Sequence, residues 1–451
     1  MTAWLDDLLA AIPVHLRQRR LLLALSGGLD SSLLLYGLQE LRQAGELGRV
    51  EALHVHHGLQ PDAEAWVAHV QDYCTRLDVP LQVLRVQVQR AGGRGLEAAA
   101  REARYAALTR AMQAGDVLLT AHHQDDQAET FLLQLMRGAG VRGLSAMPAL
   151  TPLALPDGVG WHLRPWLGVS RSSLHELALA HDVHWVDDPS NQDVRLARNS
   201  VRHSVMPALQ AHWPQAAQTL ARCAQRMATT EGLLFDLARL DLEQARTENA
   251  ERLLLEPLRR LSLARLHNAI RAWLLELELP SPPEARLREL SRVLAAREDA
   301  LPRLIWPGGE LRRWRGALYA MTGGQSDELA WPGRCWKGNE PLHIPELGLR
   351  LYAQPSLGRG LRASLFAQGV RVCVRHADSL PPAASRVSLG KRLQELGVPP
   401  WRRGRIPLLF HGDELLQIVD RWGGGWISPH ARAGDDEDGF MIVVGSMTGV
   451  S

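Results

Sequence analysis

The sequence predicts an α/β protein built on a doubly wound parallel sheet, followed by a mainly helical domain and a small α+β domain. Three observations carry that expectation. Strand-like apolar runs alternate with helix-period segments over residues 21–186, the pattern of β–α–β units with right-handed crossovers. The first run, residues 21–25, is continuously apolar, as a strand buried on both faces must be. Polar motifs directly follow three of the runs, at residues 26–31, 56–58 and 122–129. Ligands of such sheets sit there, beyond the carboxyl ends of the strands.

The elements follow in order. The first twenty residues, MTAWLDDLLAAIPVHLRQRR, place acids where a secretory leader needs base, and read as a short amphipathic helix. After the first strand, Leu34, Leu38 and Leu41 repeat at helical spacing and Gly45 offers a stop. VEALHVHH is a second strand. Trp66, Val70, Tyr73 and Leu77 mark a helix started by Pro61 and Asp62. LQVLRVQVQ alternates with period two, LEAAAREARYAALTRAMQ is helical, DVLLTAHH is a strand, QDDQAETFLLQLMR is a helix and HWVDD is a late strand. Between Arg137 and Trp161 runs a Gly- and Pro-rich stretch whose length marks a functional loop or a disordered one.

Beyond Pro214 the chain turns to Ala, Leu, Arg and Glu in helical rhythm up to about Arg297, and residues 301–323 look like short strands turned by WPGG. WPGRCWKGNE reads as a linker, and short strands around one helix at SLGKRLQEL fill the remainder. The expected domains are thus 1–212 (catalytic), 213–330 (mainly helical), 331–348 (linker) and 349–451 (α+β).

Composition sets limits. With 451 residues, 46% hydrophobic and 22% charged, this is an ordinary globular chain of roughly two to four domains. A net charge of +2 does not by itself announce a nucleic-acid binder, although all but two of the 51 basic residues, Lys337 and Lys391, are arginines. Four scattered cysteines without a CxxC pair argue against zinc, iron–sulfur and disulfide frameworks and fit a reducing cytoplasm. No apolar run reaches membrane-spanning length, so no membrane partner is expected.

The loop Ser26, Gly27, Gly28, Leu29, Asp30, Ser31 joins strand to helix. Glycines admit close backbone approach, and a helix start offers free N–H groups to an anion. The lysine of a Walker loop is missing. Phosphates must then be met by backbone, hydroxyls, distant arginines and Mg²⁺, which would explain Asp30 at the anion end. The plainer reading makes Asp30 or Ser31 the helix cap.

SGGxDS after a buried strand resembles the PP-loop ATP pyrophosphatases, which cleave ATP between its α- and β-phosphates and adenylate an oxygen. HVHHGLQ, GLEAAAREARY, AHHQDDQAETFLLQLMRGAGVRGLSAM and DDPSNQDVRLARNSVRHSVMP, in this order, are similar to the tRNA(Ile)-lysidine synthases of that family, and LGKRLQELGVPPWRRGRIPLLFHGDELL extends the likeness. The resemblance implies an AMP-forming carbon–nitrogen ligase that uses ATP with Mg²⁺. It would replace the C2 oxygen of the wobble cytidine in a CAU-anticodon tRNA(Ile) by L-lysine, shifting codon reading from AUG to AUA.

It also implies roles. Ser26, Gly27, Gly28, Leu29, Asp30 and Ser31 would hold ATP, with His56 at the adenine rim and Asp30 and Asp126 at the metal. Asp126 and Glu129, three apart on one helix face, would contact lysine; without the likeness they would read equally as a solvated helix start. His122 would lie by the phosphates or adenylate. Arg104 would offset phosphoryl charge, while its neighbour Arg101 reads as an i,i+4 partner of Glu97. Arg198, Asn199 and Arg202 would clamp pyrophosphate or the tRNA backbone. Arg142, in a lid over residues 138–147, and Trp401, Arg402, Arg403 and Arg405 would meet RNA, Trp401 being as readily core.

A single base presented unstacked needs pocket shape and backbone contacts, which the appended domains would supply. A thiolating relative would need cysteines by the loop, and none lies in a motif block. A non-catalytic RNA module would have no need of Asp30, Asp126 and Glu129. A homodimer is one assembly open to the chain.

Overall fold

The computed structural model describes residues 2–58, 63–87, 96–187, 193–297, 300–324, 329, 331–375, 380–381, 386–420 and 425–446. The helix start expected at Pro61 and Asp62 lies outside them, as do Leu59, Gln60 and residues 188–192 of the motif blocks. The chain divides into two compact units, Met1–Leu234 and Phe235–Ser451.

In the first unit α1 (Ala3–Ala10) and β1 (Leu21–Ala24) precede α2 (Leu29–Gln43), β2 (Val50–His56), α3 (Ala63–Arg76) and β3 (Leu81–Arg85). Then come α4 (Leu96–Arg110), β4 (Val117–Leu119), α5 (Gln124–Met136), α6 (Val141–Leu144), β5 (Leu150–Leu155), β6 (Gly158–Leu163) and α7 (Arg171–Ala180). The sheet order is β3-β2-β1-β4-β6-β5. All neighbours are parallel except β5, which runs antiparallel to β6 at the edge. Leu21 pairs with both Val50 and Val117, so β1 lies centrally.

Alternation along β1 explains why it is apolar throughout. Leu21 and Leu23 enter the core shared with α1 and α2, whereas Leu22 packs on the opposite face with Leu53, Leu108 and Leu118. Gly37 lets α1 press onto α2, because a Cβ there would meet Trp4 and Leu8 at 2.8 Å.

Two expectations over this unit need correction. The described part of HWVDD, residues 184–187, forms no strand; instead the backbone N–H of Val186 donates to Gly27 O at 2.9 Å, strapping the glycine loop. The stretch 137–161 is not a bare loop. It carries α6 and the β5–β6 hairpin, two apolar runs turned at Pro156-Asp157-Gly158. Pro152 is tolerated in β5 because that strand is an edge.

The first unit continues through α8 (Ala197–Ser200), a π-helical turn (Val201–Val205) and α9 (Met206–His212), and α10 (Ala216–Glu243) carries the chain into the second unit. There the expected short strands appear as an antiparallel sheet in the order Arg252–Leu254, Ala317–Met321, Gly309–Trp314, Arg303–Trp306. It packs with the helix Leu263–Glu276 around Trp273. Two further sheets, of five and four strands, follow with the helix Arg386–Glu395. The linker expected at 331–348 is structured. Arg334–Trp336 pairs with Val370–Cys373, and Leu342–Ile344 with Leu349–Leu357, so the C-terminal fold already includes this stretch. Among the described residues no helix is long and apolar enough to cross a membrane.

Leu34 on α2 is wholly buried in the core around β1. Leu34→Ala should lower unfolding free energy by about 2–5 kcal/mol, read as a fall in the urea midpoint of the first unit's transition.

Candidate functional site

The glycine loop leaves β1 and turns into α2 within four residues. Gly27 takes a left-handed φ of +88°, which glycine alone adopts freely, and a Cβ there would lie 3.1 Å from Val70. Ser26 and Ser31 tie the loop internally. The Ser31 hydroxyl donates to Gly28 O at 3.0 Å and receives the Ser26 backbone N–H at 3.2 Å, while Ser26 Oγ lies 3.0 Å from it and accepts from Gly28 N at 3.3 Å. Ser31 therefore shapes the loop from a buried position, and Ser26 is exposed at its mouth. Gly28 precedes the first turn of α2 with extended geometry, leaving the helix N-terminus open toward the rim.

Asp30, in that first turn, has a buried Oδ1 with no hydrogen-bond partner among the described residues. Burial raises its pKa, with Asp126 adding to the effect, against the opposing pull of His123. A buried carboxylate oxygen without a donor is the kind of hard ligand Mg²⁺ takes.

Opposite lies α5, capped by His123. Asp126 Oδ2 accepts the His123 backbone N–H at 3.1 Å, and the buried His123 ring holds Nε2 3.7 Å from Asp30 and 3.5 Å from Asp126. This histidine, wedged between the carboxylates, was not singled out from sequence. Its place directly before the helix was the available signal.

Asp126 and Glu129 do not stand free. Arg198 donates from Nη2 to Asp126 Oδ1 at 2.9 Å and from Nε to Glu129 Oε2 at 2.8 Å. Arg202 donates to Asp126 Oδ1 at 3.0 Å and to both Glu129 oxygens, at 2.6 and 3.0 Å. Arg202 comes from the π-helical turn, a device frequent at functional sites. Burial works to raise the Asp126 carboxyl, but His123, Arg198, His122 and the His123 N–H outweigh it and hold it at about 2. Both Asp126 oxygens thus accept hydrogen bonds in this arrangement, whereas Asp30 keeps an oxygen without a donor among the described residues.

His122 stands beside this cluster with Nδ1 2.8 Å from Thr120 Oγ1. Burial, then Arg164, Arg198 and Arg101, push it down to about 3 against the pull of Asp126. At the end of β2, His54 Nδ1 meets Leu25 O at 2.9 Å. His56 Nε2 lies 3.4 Å from Glu64, and His57 is lowered to about 4 by burial and then by Arg104. Arg104 makes no hydrogen bond or ion pair among the described residues, and desolvation lowers its pKa. Its guanidinium is thus uncommitted beside the rim. Arg101 instead covers the ring of Tyr105 at 5.0 Å, and the Glu97 side chain is outside the described ones.

The remaining expected contacts divide. Asn199 is buried and spends its amide on Asp193 O at 3.1 Å, which shapes the chain before α8. Arg142 is exposed on α6, whose far end is stitched to α5 by the Gln127 amide, which donates to Met147 O at 2.7 Å and accepts from Met147 N at 2.9 Å. Trp401 is core: it is 5% exposed and packs edge-on against Tyr319 and Trp314, so it is not presented for stacking on a base. Arg402 pairs with Glu251 at 2.6 Å, Arg403 donates to Val398 O at 3.0 Å and Arg405 to Glu346 O at 3.4 Å.

Comparison with known proteins matches three family models in turn: a PP-loop domain over residues 3–209, a TilS substrate binding domain over 253–319 and a TilS substrate C-terminal domain over 370–439. The tRNA(Ile)-lysidine synthase of Alkalilimnicola ehrlichii is 44% identical across 88% of each chain. That of Pseudomonas aeruginosa is also 44% identical, over 89% of this chain and 91% of its own. That of Escherichia coli O157:H7 is 40% identical, over 95% and 97%.

Three site histidines have depressed pKa values, His122 and His162 about 3 and His57 about 4. An unfolded chain takes up these protons near 6.5, which the folded chain refuses until far lower, so stability falls as pH drops from about 6.5 toward 4. Denaturation midpoints at pH 7 and pH 5 should differ in that sense, and His57→Gln should reduce the difference.

Proposed function

The chain belongs to the tRNA(Ile)-lysidine synthase family, and from that membership we infer how its site forms lysidine on tRNA(Ile) with ATP. The observation that carries the reading is the meeting of the glycine loop, Asp30, and the Asp126–Glu129 pair at one rim of the parallel sheet. The loop backbone and the start of α2 receive the β- and γ-phosphates. Asp30 would hold Mg²⁺, which supplies positive charge to the departing pyrophosphate. The cytidine C2 oxygen attacks the α-phosphorus and the bond to pyrophosphate breaks. Arg104 meets the charge that builds on the phosphoryl group.

In the second step one lysine amine, its proton passed to solvent, attacks C2 as a neutral nucleophile. The C2–O bond breaks, and the oxygen leaves with AMP. Asp126 and Glu129 receive the other, still protonated lysine ammonium, whose charge replaces that of a guanidinium now on them. Arg198 and Arg202, released, would face the phosphates. Still beside His123 and its backbone N–H, Asp126 holds a cation rather than removing a proton from it. The family matches over 253–319 and 370–439 support tRNA binding by the second unit. Arg142 on α6 would approach the anticodon, whereas Arg402, Arg403 and Arg405 support that unit's own fold unless RNA draws them out.

Nucleosides from CAU-anticodon tRNA incubated with protein, ATP and lysine should show lysidine by mass spectrometry, with AMP release needing all three substrates. ATP turnover indifferent to lysine would refute the reading. Asp30→Ala should abolish adenylation, while Glu129→Gln should chiefly raise the lysine KM, by about tenfold or more for a lost charge-assisted contact. Equal loss in both steps would overturn that division.

A further inference from the structure

Behind His122 lies a chain of hydrogen bonds whose direction is fixed by chemistry. Arg164 Nη2 lies 3.0 Å from His162 Nδ1, and a guanidinium can only donate. His162 Nδ1 is therefore the acceptor, and its ring carries the proton on Nε2. That Nε2 is 2.9 Å from Thr120 Oγ1, so the hydroxyl receives it. Among the described residues the hydroxyl proton then has one acceptor within reach, His122 Nδ1 at 2.8 Å. If His122 were protonated at Nδ1 instead, two donors would point at one oxygen and the hydroxyl hydrogen would be left unpaired in a buried place.

We propose that Arg164, His162 and Thr120 are positioning residues that lock His122 as the neutral tautomer with its proton on Nε2, making it a fixed hydrogen-bond donor to the bound nucleotide or base. The scaffold suits this task. Thr120 is pinned by its backbone N–H to Leu163 O at 3.1 Å. His162 is buried on β6 beneath Tyr105, with ring centroids 5.7 Å apart. Arg164 is anchored by Nη1 to Pro148 O at 2.7 Å. His122 Nε2 makes no hydrogen bond to a described residue, which leaves it for a ligand acceptor. Burial keeps both rings uncharged, so His122 neither adds charge to the phosphates nor shuttles a proton.

The identity of the acceptor rests on the lysidine-synthase reading; the locked tautomer does not. Long-range nitrogen–proton NMR of isotope-labelled histidine in the full chain reads the tautomer directly, with His122 assigned by its loss in His122→Gln. The expected spectrum shows His122 protonated at Nε2 alone, unchanged in Thr120→Ser and mixed in Thr120→Val. Lysidine formation in the same variants should stay near wild type in Thr120→Ser and drop roughly tenfold or more in kcat in Thr120→Val, the scale on which a histidine's orienting partner matters. His122 protonated at Nδ1, or a spectrum untouched by Thr120→Val, overturns the proposal. So does equal loss of turnover in the serine and valine variants, since a packing role alone would not spare serine. Because the spectrum needs no turnover, an inactive wild-type protein would count against the functional reading while the tautomer is still decided.

Discussion

The parallel pairing of β1 with β2 on one side and β4 on the other governs the catalytic unit. Leu21 is in register with Val50 and with Val117, so all three strands point their carboxyl ends to one edge. Parallel neighbours require crossovers, and α2, α3 and α4 supply them while covering both faces. Along β1, buried on both faces, every side chain is apolar. Polar groups therefore gather where the ladder ends, and the glycine loop, the β2 histidines and the start of α5 come together there.

At that edge the electrostatics are divided by burial. Asp30 is raised by desolvation, whereas Asp126, a few ångströms away across His123, is held near 2 by arginines and histidines. The nearby His122, His162 and His57 are kept neutral. The rim thus offers uncharged donors next to fixed charges of both signs. Such an arrangement suits a reaction that first assembles a crowded phosphoryl centre and then admits an amine.

Local signals in the sequence read well where the structural cause was local. The apolar run of β1 and the glycines after it state their own burial and turn, and WPGG marks the Trp306–Gly309 turn as drawn. The β5–β6 hairpin was legible too, in Pro156-Asp157-Gly158, but the abundance of Gly and Pro around it suggested a loop. HWVDD has strand composition yet serves as a strap, because its partner is the glycine loop and not a sheet edge. Arg198 and Arg202 lie about seventy residues from the acids they grip, and no spacing rule connects them. His122 and His123 are alike in sequence, and only the start of α5 sets His123 apart as its cap, while nothing around Trp401 says whether Tyr319 or solvent faces it.

The four-membered knot of Asp126, Glu129, Arg198 and Arg202 has a consequence for how the enzyme can change. Its charges sum to zero, and it fastens the α8–π-turn segment to α5, so the pocket is also a rivet of the architecture. Deleting one member leaves its partly buried opposite without that partner, a penalty beyond that of an exposed pair. Any change to the charges at this rim is therefore also a change to how the domain is held together.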